Sequence, residues 1–192
     1  MGQTILNSVV FLDRDGTINI DSPDYIKNRS EFKLIPGSIE AIRRLTIGGF
    51  TSIVITNQSA LARKLISPGE LDHIHAIMIA AVTSGGGKIT DIFFCPHLPN
   101  EGCNCRKPAP GLLLQAQRKY SIDLSMSFMV GDSAKDIECA RNAGCGKAVL
   151  VKTGKDNAAE DMLKAMPIDA DYTAEDLLDA ANWILADSPL SY

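Results

Sequence analysis

Short apolar runs alternate with helical patterns along the chain, and this order constrains the fold more than any other feature of the sequence. The runs are rich in Val, Ile and Phe, which is typical of strands that are buried on both faces. Strands that alternate with helices form a mostly parallel sheet covered by helices. The sequence therefore predicts an α/β fold, a Rossmann-like three-layer sandwich with a mostly parallel sheet. We predict strands over residues 8–12, 51–55, 89–94, 127–130 and 147–151.

Glycines, a proline and capping residues bound the predicted helices between those strands. Ser67, Pro68, Gly69 and Glu70 form a capping-box sequence in which proline takes the first helical position. Gly144 gives another helix a C-terminal stop. We predict helices over residues 38–46, 68–83, 110–120, 135–143 and about 174–186.

Length and charge limit the domain organisation and the class of partner. The 192 residues suit one domain with its own core, and we expect a single domain over 1–192 that ends in an acidic helical segment at about 156–192. No stretch between the motifs is long enough for a large cap domain, so we expect an open site. A net charge of −4 argues against nucleic-acid and membrane binding, and no apolar run approaches the roughly 18–20 residues of a membrane helix. We expect a monomer with a small-molecule substrate.

The cysteines and one histidine indicate a metal site and a compartment. Five cysteines, an odd number, argue against a secreted disulfide framework, and the N-terminus lacks the features of a signal peptide, so we expect a cytoplasmic protein. Cys95, His97, Cys103 and Cys105 lie within eleven residues, and three thiolates with one imidazole suit a tetrahedral, structural Zn²⁺. Buried free thiols, or a disulfide in an oxidised preparation, are the alternatives. We expect the zinc loop, residues 95–105, to hold the cationic residues that follow it.

Two carboxylates follow the first predicted strand. Asp13 and Asp15 stand two residues apart at the mouth of a buried strand, where they would repel each other without a cation. Mg²⁺ takes carboxylate and phosphate oxygens together, so the pair predicts a site for both. A solvated Asp-Gly turn is the alternative, and this motif alone does not exclude it.

Polar residues follow or precede three further predicted elements. Thr56 follows the second strand, Lys107 precedes the helix that begins at Pro110, and Asp132 follows the fourth strand with Asp136 four residues later. Taken singly, these residues are explained as a cap, a solvated charge or an N-cap. Ligands of parallel sheets bind beyond the carboxyl ends of the strands, and all four motifs fall there in order. Chance explains that order poorly.

These motifs resemble those of the haloacid dehalogenase superfamily of phosphatases. The resemblance covers about residues 8–153 and is closest to the family of D,D-heptose 1,7-bisphosphate 7-phosphatases and histidinol-phosphate phosphatases. The segments that carry the closer resemblance are 11–19, 56–59, 95–97 and 105–108. It implies a Mg²⁺-dependent phosphomonoester hydrolase with an aspartyl-phosphate intermediate, active in the synthesis of nucleotide-heptose precursors.

The resemblance also implies roles for single residues. Asp13 would be the nucleophile and Asp15 the general acid and base, while Thr56 and Lys107 would hold the transferring phosphoryl group. A raised pKa is expected for Asp15, because a general acid must hold its proton beside another acid. The implied Mg²⁺ ligands are Asp13, Asp15 through its backbone carbonyl and Asp132, with Asp136 in a supporting role.

A sugar phosphate is the substrate that the resemblance implies. The residues it places around the sugar are Asp21, Asp24, Asn57, Gln58, Ser59 and Arg106, and Arg106 is expected to bind a second phosphate bidentately. Ala60 stands where the heptose enzymes usually have glycine, which bears on substrate choice. Histidinol phosphate or another phosphomonoester is the alternative substrate. A non-catalytic, zinc-stabilised phosphate-binding protein is the alternative from another class.

Four further side chains are interpreted more simply. We expect Arg63 on a helix surface, with the substrate pocket as the alternative. His73 and His75 are expected to be packing or surface residues without a catalytic role. Trp183 is expected to anchor the C-terminal helix in the core.

Overall fold

A parallel β-sheet forms the centre of the protein, in a computed structural model that describes residues 8–155 and 159–187. The six strands are β1 (Val9–Leu12), β2 (Thr51–Asn57), β3 (Ile89–Cys95), β4 (Phe128–Gly131), β5 (Lys147–Val151) and β6 (Tyr172–Ala174). They lie in the order β3-β2-β1-β4-β5-β6, and every neighbouring pair is parallel. The predicted parallel sheet is confirmed.

Helices cover both faces of this sheet. They are α1 (Ser38–Ile47), α2 (Pro68–Ser84), α3 (Gly111–Tyr120), α4 (Ala134–Ala143), α5 (Ala159–Lys164) and α6 (Leu177–Asp187). Successive side chains of a strand point to opposite faces, so β1 supplies Val10 and Leu12 to the layer of α1, α2 and α6, and Val9 and Phe11 to the layer of α3, α4 and α5. The three-layer sandwich is confirmed.

The strand order determines where a ligand can bind. The chain passes from β1 outward through β2 and β3, and then returns to the other side of β1 with β4. In open sheets of this kind, the crevice lies at the carboxyl ends of the two strands where the order reverses, here β1 and β4. Within the described residues no folded domain is inserted between the strands, and the irregular segment 13–37 lies beside this crevice.

The C-terminal part of the chain differs from the prediction. The helix predicted over about 174–186 begins only at Leu177, because Tyr172–Ala174 form the edge strand β6. The sequence pattern predicts neither β6 nor α5. β6 is too short for a hydrophobic pattern, and the preceding Asp171 is held by distant partners: its Oδ2 accepts hydrogen bonds from the Ala148 amide and the Arg141 guanidinium, both at 2.7 Å. Elsewhere the predicted boundaries are within about two residues of the observed ones.

The predicted capping box of α2 is half formed. The Ser67 side chain accepts a hydrogen bond from the Glu70 amide at 3.1 Å, as predicted. The Glu70 carboxylate instead accepts the backbone amide of Arg29 at 3.0 Å, which ties α2 to the segment after β1. In the ranges that the structure covers, no helix combines the length and the hydropathy needed to cross a membrane.

Candidate active site

Asp13 enters the crevice directly after β1. Its backbone amide donates to the Val130 carbonyl at 2.9 Å, which continues the pairing of β1 with β4 by one residue. Its Oδ1 accepts the Arg14 backbone amide at 2.7 Å and lies 2.8 Å from the Lys107 ammonium. The carboxylate is therefore oriented by two donors and still lines the cavity. A carboxylate placed in this way can act as a nucleophile.

Lys107 is a buried cation between two carboxylates. Its Nζ lies 2.8 Å from Asp13 and 2.6 Å from Asp136, and it donates to the Ile55 carbonyl at 3.0 Å. Burial alone would lower the pKa of Lys107, but the charges of the two aspartates outweigh it and raise that pKa above its usual value. Lys107 is therefore a permanent positive charge at the floor of the crevice.

Asn57 holds the backbone of Lys107. Its Nδ2 donates to the Lys107 carbonyl at 3.2 Å, and its Oδ1 accepts the Lys107 amide at 3.1 Å. Both ends of the Asn57 amide are thus engaged with the protein, although the residue also lines the cavity. We interpret Asn57 as a residue that places Lys107, a role the sequence pattern does not indicate.

Asp13, Asp132 and Asp136 bring three carboxylates together, with one oxygen of each within 4.8 Å of the others. Burial raises the pKa of Asp13 to about 7 and the pKa of Asp132 to about 9, and the neighbouring aspartates act in the same direction. The single ammonium of Lys107 would not offset the charges of all three carboxylates in their ionised form, so the cluster favours bound protons or a bound cation. A cluster of hard oxygen ligands with excess negative charge fits a cation such as Mg²⁺.

Glycines allow the backbone to approach this cluster closely. A side-chain carbon at Gly16 or Gly154 would collide with the Asp132 carboxylate, and one at Gly131 would collide with the Asp136 carboxylate. Gly16 also has a φ of 81°, which other residues rarely adopt. These three positions require glycine because the chain wraps around the carboxylates.

Asp136, at the start of α4, caps the helix with one carboxylate oxygen and pairs with Lys107 through the other. Its Oδ2 accepts the Ser133 amide at 3.1 Å and the Ser133 hydroxyl at 2.7 Å, which caps the helix. Its Oδ1 pairs with Lys107. Asp136 thus anchors the lysine to α4, in keeping with a supporting role.

The expectation of a raised pKa for Asp15 is wrong for the protein without substrate. Burial would raise the pKa of this carboxyl, but the Arg14 guanidinium and hydrogen bonds from Asn19 and Gln58 outweigh burial and hold the pKa below its usual value. The sequence places Arg14 between two acids but does not show that its side chain turns inward to Asp15. Asp15 is therefore ionised before substrate binds.

The residues after β2 form a chain of hydrogen bonds toward Asp15. The buried Thr56 hydroxyl accepts the Gln58 Nε2 at 2.9 Å, and the same nitrogen donates to Asp15 Oδ2 at 2.9 Å. Ser59 is also buried and lines the cavity. The structure thus brings Thr56, Gln58 and Ser59 to the crevice. The side-chain amide of Gln58 is engaged in hydrogen bonds to Thr56 and Asp15.

A cavity of about 540 Å³ opens above the carboxylates, which is ample for a sugar phosphate. Its upper wall includes Asp21, whose carboxylate pairs with Lys155 at 2.7 Å. Arg106 lines the cavity and donates to the His97 carbonyl at 3.2 Å. Asp24 is exposed and is not part of the cavity wall, so the structure does not bring it to the site.

Arg63 lines the same cavity, and its placement on a helix surface is wrong. It lies in a turn before α2, with its guanidinium 5.7 Å from the centre of the Tyr25 ring. The cations along the cavity wall are Arg63, Arg106, Lys107, Lys135 and Lys155. Their number suits a substrate with more than one phosphate.

The four residues of the predicted zinc loop converge. One ligand atom of each lies within 4.8 Å of the others, and the closest pairs are 3.2 to 3.6 Å apart. Ligands of a tetrahedral Zn²⁺ stand about 3.5 to 3.8 Å from each other, given metal–ligand bonds of about 2.0–2.3 Å. All five cysteines are free, so the disulfide alternative is not observed. Burial raises the pKa of Cys95 to about 12, and a bound cation would be needed to ionise it.

Comparison with known proteins agrees with this geometry. Residues 104–180 match a family model described as HAD-hydrolase-like. The chain is 50% identical over 148 residues to a D-glycero-beta-D-manno-heptose-1,7-bisphosphate 7-phosphatase of Pseudomonas aeruginosa, which is 77% of this chain and 83% of that protein. This chain belongs to the haloacid dehalogenase-like phosphatases.

Two further relatives of this phosphatase cover nearly the whole chain. The enzyme of the same name from Bordetella bronchiseptica is 39% identical over 94% of this chain and 99% of its own. The crystal structure of the B. bronchiseptica D,D-heptose 1,7-bisphosphate phosphatase with magnesium and phosphate matches with a TM-score of 0.87 over the same shares. The heptose bisphosphate phosphatase from Burkholderia thailandensis, at 30% identity, matches with a TM-score of 0.69 over 93% and 99%.

Sequence reasoning missed the places of Lys155 and Arg14 at the site of the phosphatase, and it predicted His75 only as a packing or surface residue. Lys155 lies four residues past β5, at the same carboxyl edge as the recognised motifs. Arg14 stands between two aspartates directly after a buried strand. His75 lies on the apolar face of α2 with Leu71, Met78 and Val82, and this spacing indicates burial.

Proposed function

We propose that this phosphatase hydrolyses the 7-phosphate of D-glycero-D-manno-heptose 1,7-bisphosphate, with histidinol phosphate as the alternative substrate to be tested. The observation that carries the proposal is the buried pair of Asp13 and Lys107 beside Asp132, at the floor of a cavity with several cations on its walls. Relatives named for this substrate, one of which aligns with 94% of the chain, support the choice. The proposal includes a cytoplasmic location, because a site of three thiols persists in a reducing compartment.

Phosphoryl transfer begins at Asp13 in this proposal. A carboxylate oxygen of Asp13 attacks phosphorus while the bond from phosphorus to the sugar oxygen breaks. The electron pair of that bond goes to the sugar oxygen. Lys107, which pairs with Asp13, and the Thr56 hydroxyl would stabilise the oxygens of the transferring group, and positioned charge of this kind supplies most of the rate in phosphoryl transfer.

Asp15 moves the proton in both steps. The negative charge of a bound phosphate favours the protonated form of a neighbouring carboxyl, which reverses the situation in the free protein. The protonated Asp15 donates to the departing sugar oxygen. In the second step the Asp15 carboxylate takes a proton from the water whose oxygen attacks phosphorus. The bond from phosphorus to the Asp13 oxygen breaks, its electron pair restores the Asp13 carboxylate, and free phosphate leaves.

Two metals complete the proposal. Asp13, Asp132 and the Asp15 backbone carbonyl would hold Mg²⁺, and the excess negative charge of the carboxylate cluster fits that ion. When bound, Mg²⁺ supplies positive charge to the phosphoryl oxygens. Cys95, His97, Cys103 and Cys105 would hold Zn²⁺ in a structural role.

Arg106 is the proposed contact for the second phosphate. It lines the cavity next to Lys107, and a guanidinium pairs bidentately with a phosphate. Only a bisphosphate uses this contact. The choice of substrate therefore depends on Arg106 more than on the residues that perform the chemistry.

The test compares kcat/KM for heptose 1,7-bisphosphate, heptose 7-phosphate and histidinol phosphate in Mg²⁺. We expect the bisphosphate to be preferred by about a hundredfold, or about 2.7 kcal/mol of transition-state discrimination. Arg106→Gln should raise KM for the bisphosphate and leave that for heptose 7-phosphate unchanged. Equal rates for all three substrates would show that the true substrate is another phosphomonoester.

A further inference from the structure

Arg14 is a fully buried charge that the mechanism above does not use. Its side chain is 1% exposed, and its guanidinium grips the Asp15 carboxylate through Nε–Oδ1 at 3.1 Å, Nη2–Oδ1 at 2.9 Å and Nη2–Oδ2 at 2.8 Å. Removing a guanidinium from water is costly unless its other donors also find partners. The question is which group holds the far side of Arg14.

Besides Gln58, whose Oε1 accepts a hydrogen bond from Arg14 Nη2 at 3.2 Å, the partner on that side is His75 on α2. Its Nε2 lies 3.4 Å from Arg14 Nη1, and its ring packs against Phe94 with centroids 5.9 Å apart. Burial and the Arg14 charge lower the pKa of His75 to about 4, against the opposing charges of Asp72 and Asp15. The imidazole is thus neutral near pH 7, and Nε2 can accept a hydrogen bond from Arg14.

Both carboxylate oxygens of Asp15 accept hydrogen bonds within this network. Besides Arg14, Asn19 Nδ2 donates to Oδ1 and Gln58 Nε2 donates to Oδ2, each at 2.9 Å. The carboxylate nevertheless lines the cavity. A group that must hand a proton to a leaving oxygen needs a defined orientation, and a displacement of about 1 Å can cost about a hundredfold in rate.

We propose that Arg14 and His75 are positioning residues of the reaction: His75 fixes the guanidinium of Arg14, which in turn orients the carboxyl of Asp15 toward the leaving sugar oxygen. The inference rests on the proposed role of Asp15. In the affected step, the bond from phosphorus to the sugar oxygen breaks, its electron pair goes to that oxygen, and Asp15 gives its proton to the same oxygen. His75 and Arg14 exchange no proton.

The experiment compares a poor and a good leaving group. The alkoxide of a sugar needs a proton as it departs, whereas p-nitrophenolate departs without one. The ratio of kcat/KM for heptose 1,7-bisphosphate to kcat/KM for p-nitrophenyl phosphate therefore reports general-acid catalysis of the first step, independent of aspartyl-phosphate hydrolysis. The Asp15→Asn variant gives the value of this ratio that is expected when general-acid catalysis is absent.

The variants separate the hydrogen bond from packing. His75→Phe keeps a planar ring next to Phe94 but removes the acceptor, and His75→Gln retains an acceptor. Arg14→Lys keeps the charge and loses the bidentate grip. His73→Phe is the matched control, since His73 lies on the same helix with its side chain 69% exposed. The thermal unfolding temperature of each variant is measured first, and all assays are run at a temperature at which every variant is folded.

We expect His75→Phe and Arg14→Lys to lower kcat/KM for the sugar bisphosphate by about 10- to 100-fold and for p-nitrophenyl phosphate by less than about threefold. His75→Gln should recover most of the loss, and His73→Phe should match the wild type. Equal losses for both substrates in His75→Phe, or no rescue by His75→Gln, would overturn the inference. If Asp15→Asn itself lowers both substrates equally, the proposed role of Asp15 fails instead.

Discussion

Lys107 and the three aspartates near it show how single residues set the chemistry of the site. The lysine pairs with Asp13 and Asp136 but leaves Asp132 without a comparable partner, and burial raises the pKa of Asp132 further than that of Asp13. The same lysine holds the Oδ1 atom of Asp13, whose carboxylate lines the cavity. In the proposed mechanism the nucleophile and the cation site thus share the Asp13 carboxylate.

Replacement of the nucleophile is the direct test at this scale. Asp13→Asn should lower phosphate release by about 10³-fold or more, because an amide oxygen does not attack phosphorus as a carboxylate does. We expect the fold to persist, since Lys107 keeps its pair with Asp136 and one charge leaves a repelling cluster. Circular dichroism and phosphate release measure the two quantities.

Asp24→Asn is the matched control for that prediction. Asp24 is also an aspartate of the segment after β1, but it is exposed and lies outside the cavity wall. Its replacement should change phosphate release by less than about twofold. Retained activity of Asp13→Asn would refute the assignment of the nucleophile.

At the scale of elements, Lys107 lies just after the predicted zinc loop, residues 95–105. The loop leaves β3 at Cys95 and ends at Cys105, two residues before the lysine, and Asn57 at the end of β2 holds the lysine backbone from the other side. The lysine therefore depends on two elements that meet only in the folded chain. A bound Zn²⁺ would make the first of these attachments rigid.

Loss of zinc should lower activity through this attachment. Cys103→Ser removes a proposed zinc ligand whose sulfur lies 3.6 Å from that of Cys95, and we expect it to lower both the zinc content and the thermal unfolding temperature. We also expect kcat/KM to fall by about tenfold or more as Lys107 loses its position. Metal analysis, calorimetry and phosphate release check the three effects.

Cys145→Ala serves as the control for the zinc prediction. Cys145 is buried outside the cluster, so its replacement should leave zinc content and kcat/KM unchanged. A Cys103→Ser protein that retains one zinc per chain would contradict the assigned ligands. One that loses zinc at full activity would contradict the coupling to Lys107.

For the whole molecule, the clustered carboxylates make stability depend on pH and on Mg²⁺. The folded state binds protons at Asp13 and Asp132 more tightly than the unfolded chain, in which such carboxyls have a pKa of 3.8. Between that value and about 7 to 9, folding takes up protons, so the free energy of unfolding falls as the pH rises. The pKa of Asp15 is lowered, so this residue makes the free energy of unfolding vary with pH only below this pH range.

Bound Mg²⁺ should reverse this loss of stability. The ion displaces the protons of the cluster, so its stabilising effect should be larger at pH 8.5 than at about pH 5.5. Thermal unfolding with and without Mg²⁺ at the two pH values measures it. Asp132→Asn should weaken both the pH dependence and the effect of Mg²⁺. An equal Mg²⁺ effect at the two pH values would contradict the placement of the ion among these carboxylates.

The sequence alone determined the fold class and the order of the motifs, because both depend on local patterns. Segments rich in Val, Ile and Phe recur at the strand positions of β1 to β5, and the polar residues that follow them lie at the carboxyl edge of a parallel sheet by topology alone. The convergence of Cys95, His97, Cys103 and Cys105 also follows from their nearness along the chain.

The tertiary structure alone decided how the side chains share charge. That Arg14 turns inward to Asp15, that His75 supports it from a helix more than sixty residues away in the chain, and that β6 forms at all depend on contacts between distant segments. A pKa responds to burial and to every charge within a few ångströms, and spacing along the chain contains neither quantity. For this reason the motifs could be predicted from the sequence, whereas the ionisation of Asp15 could not.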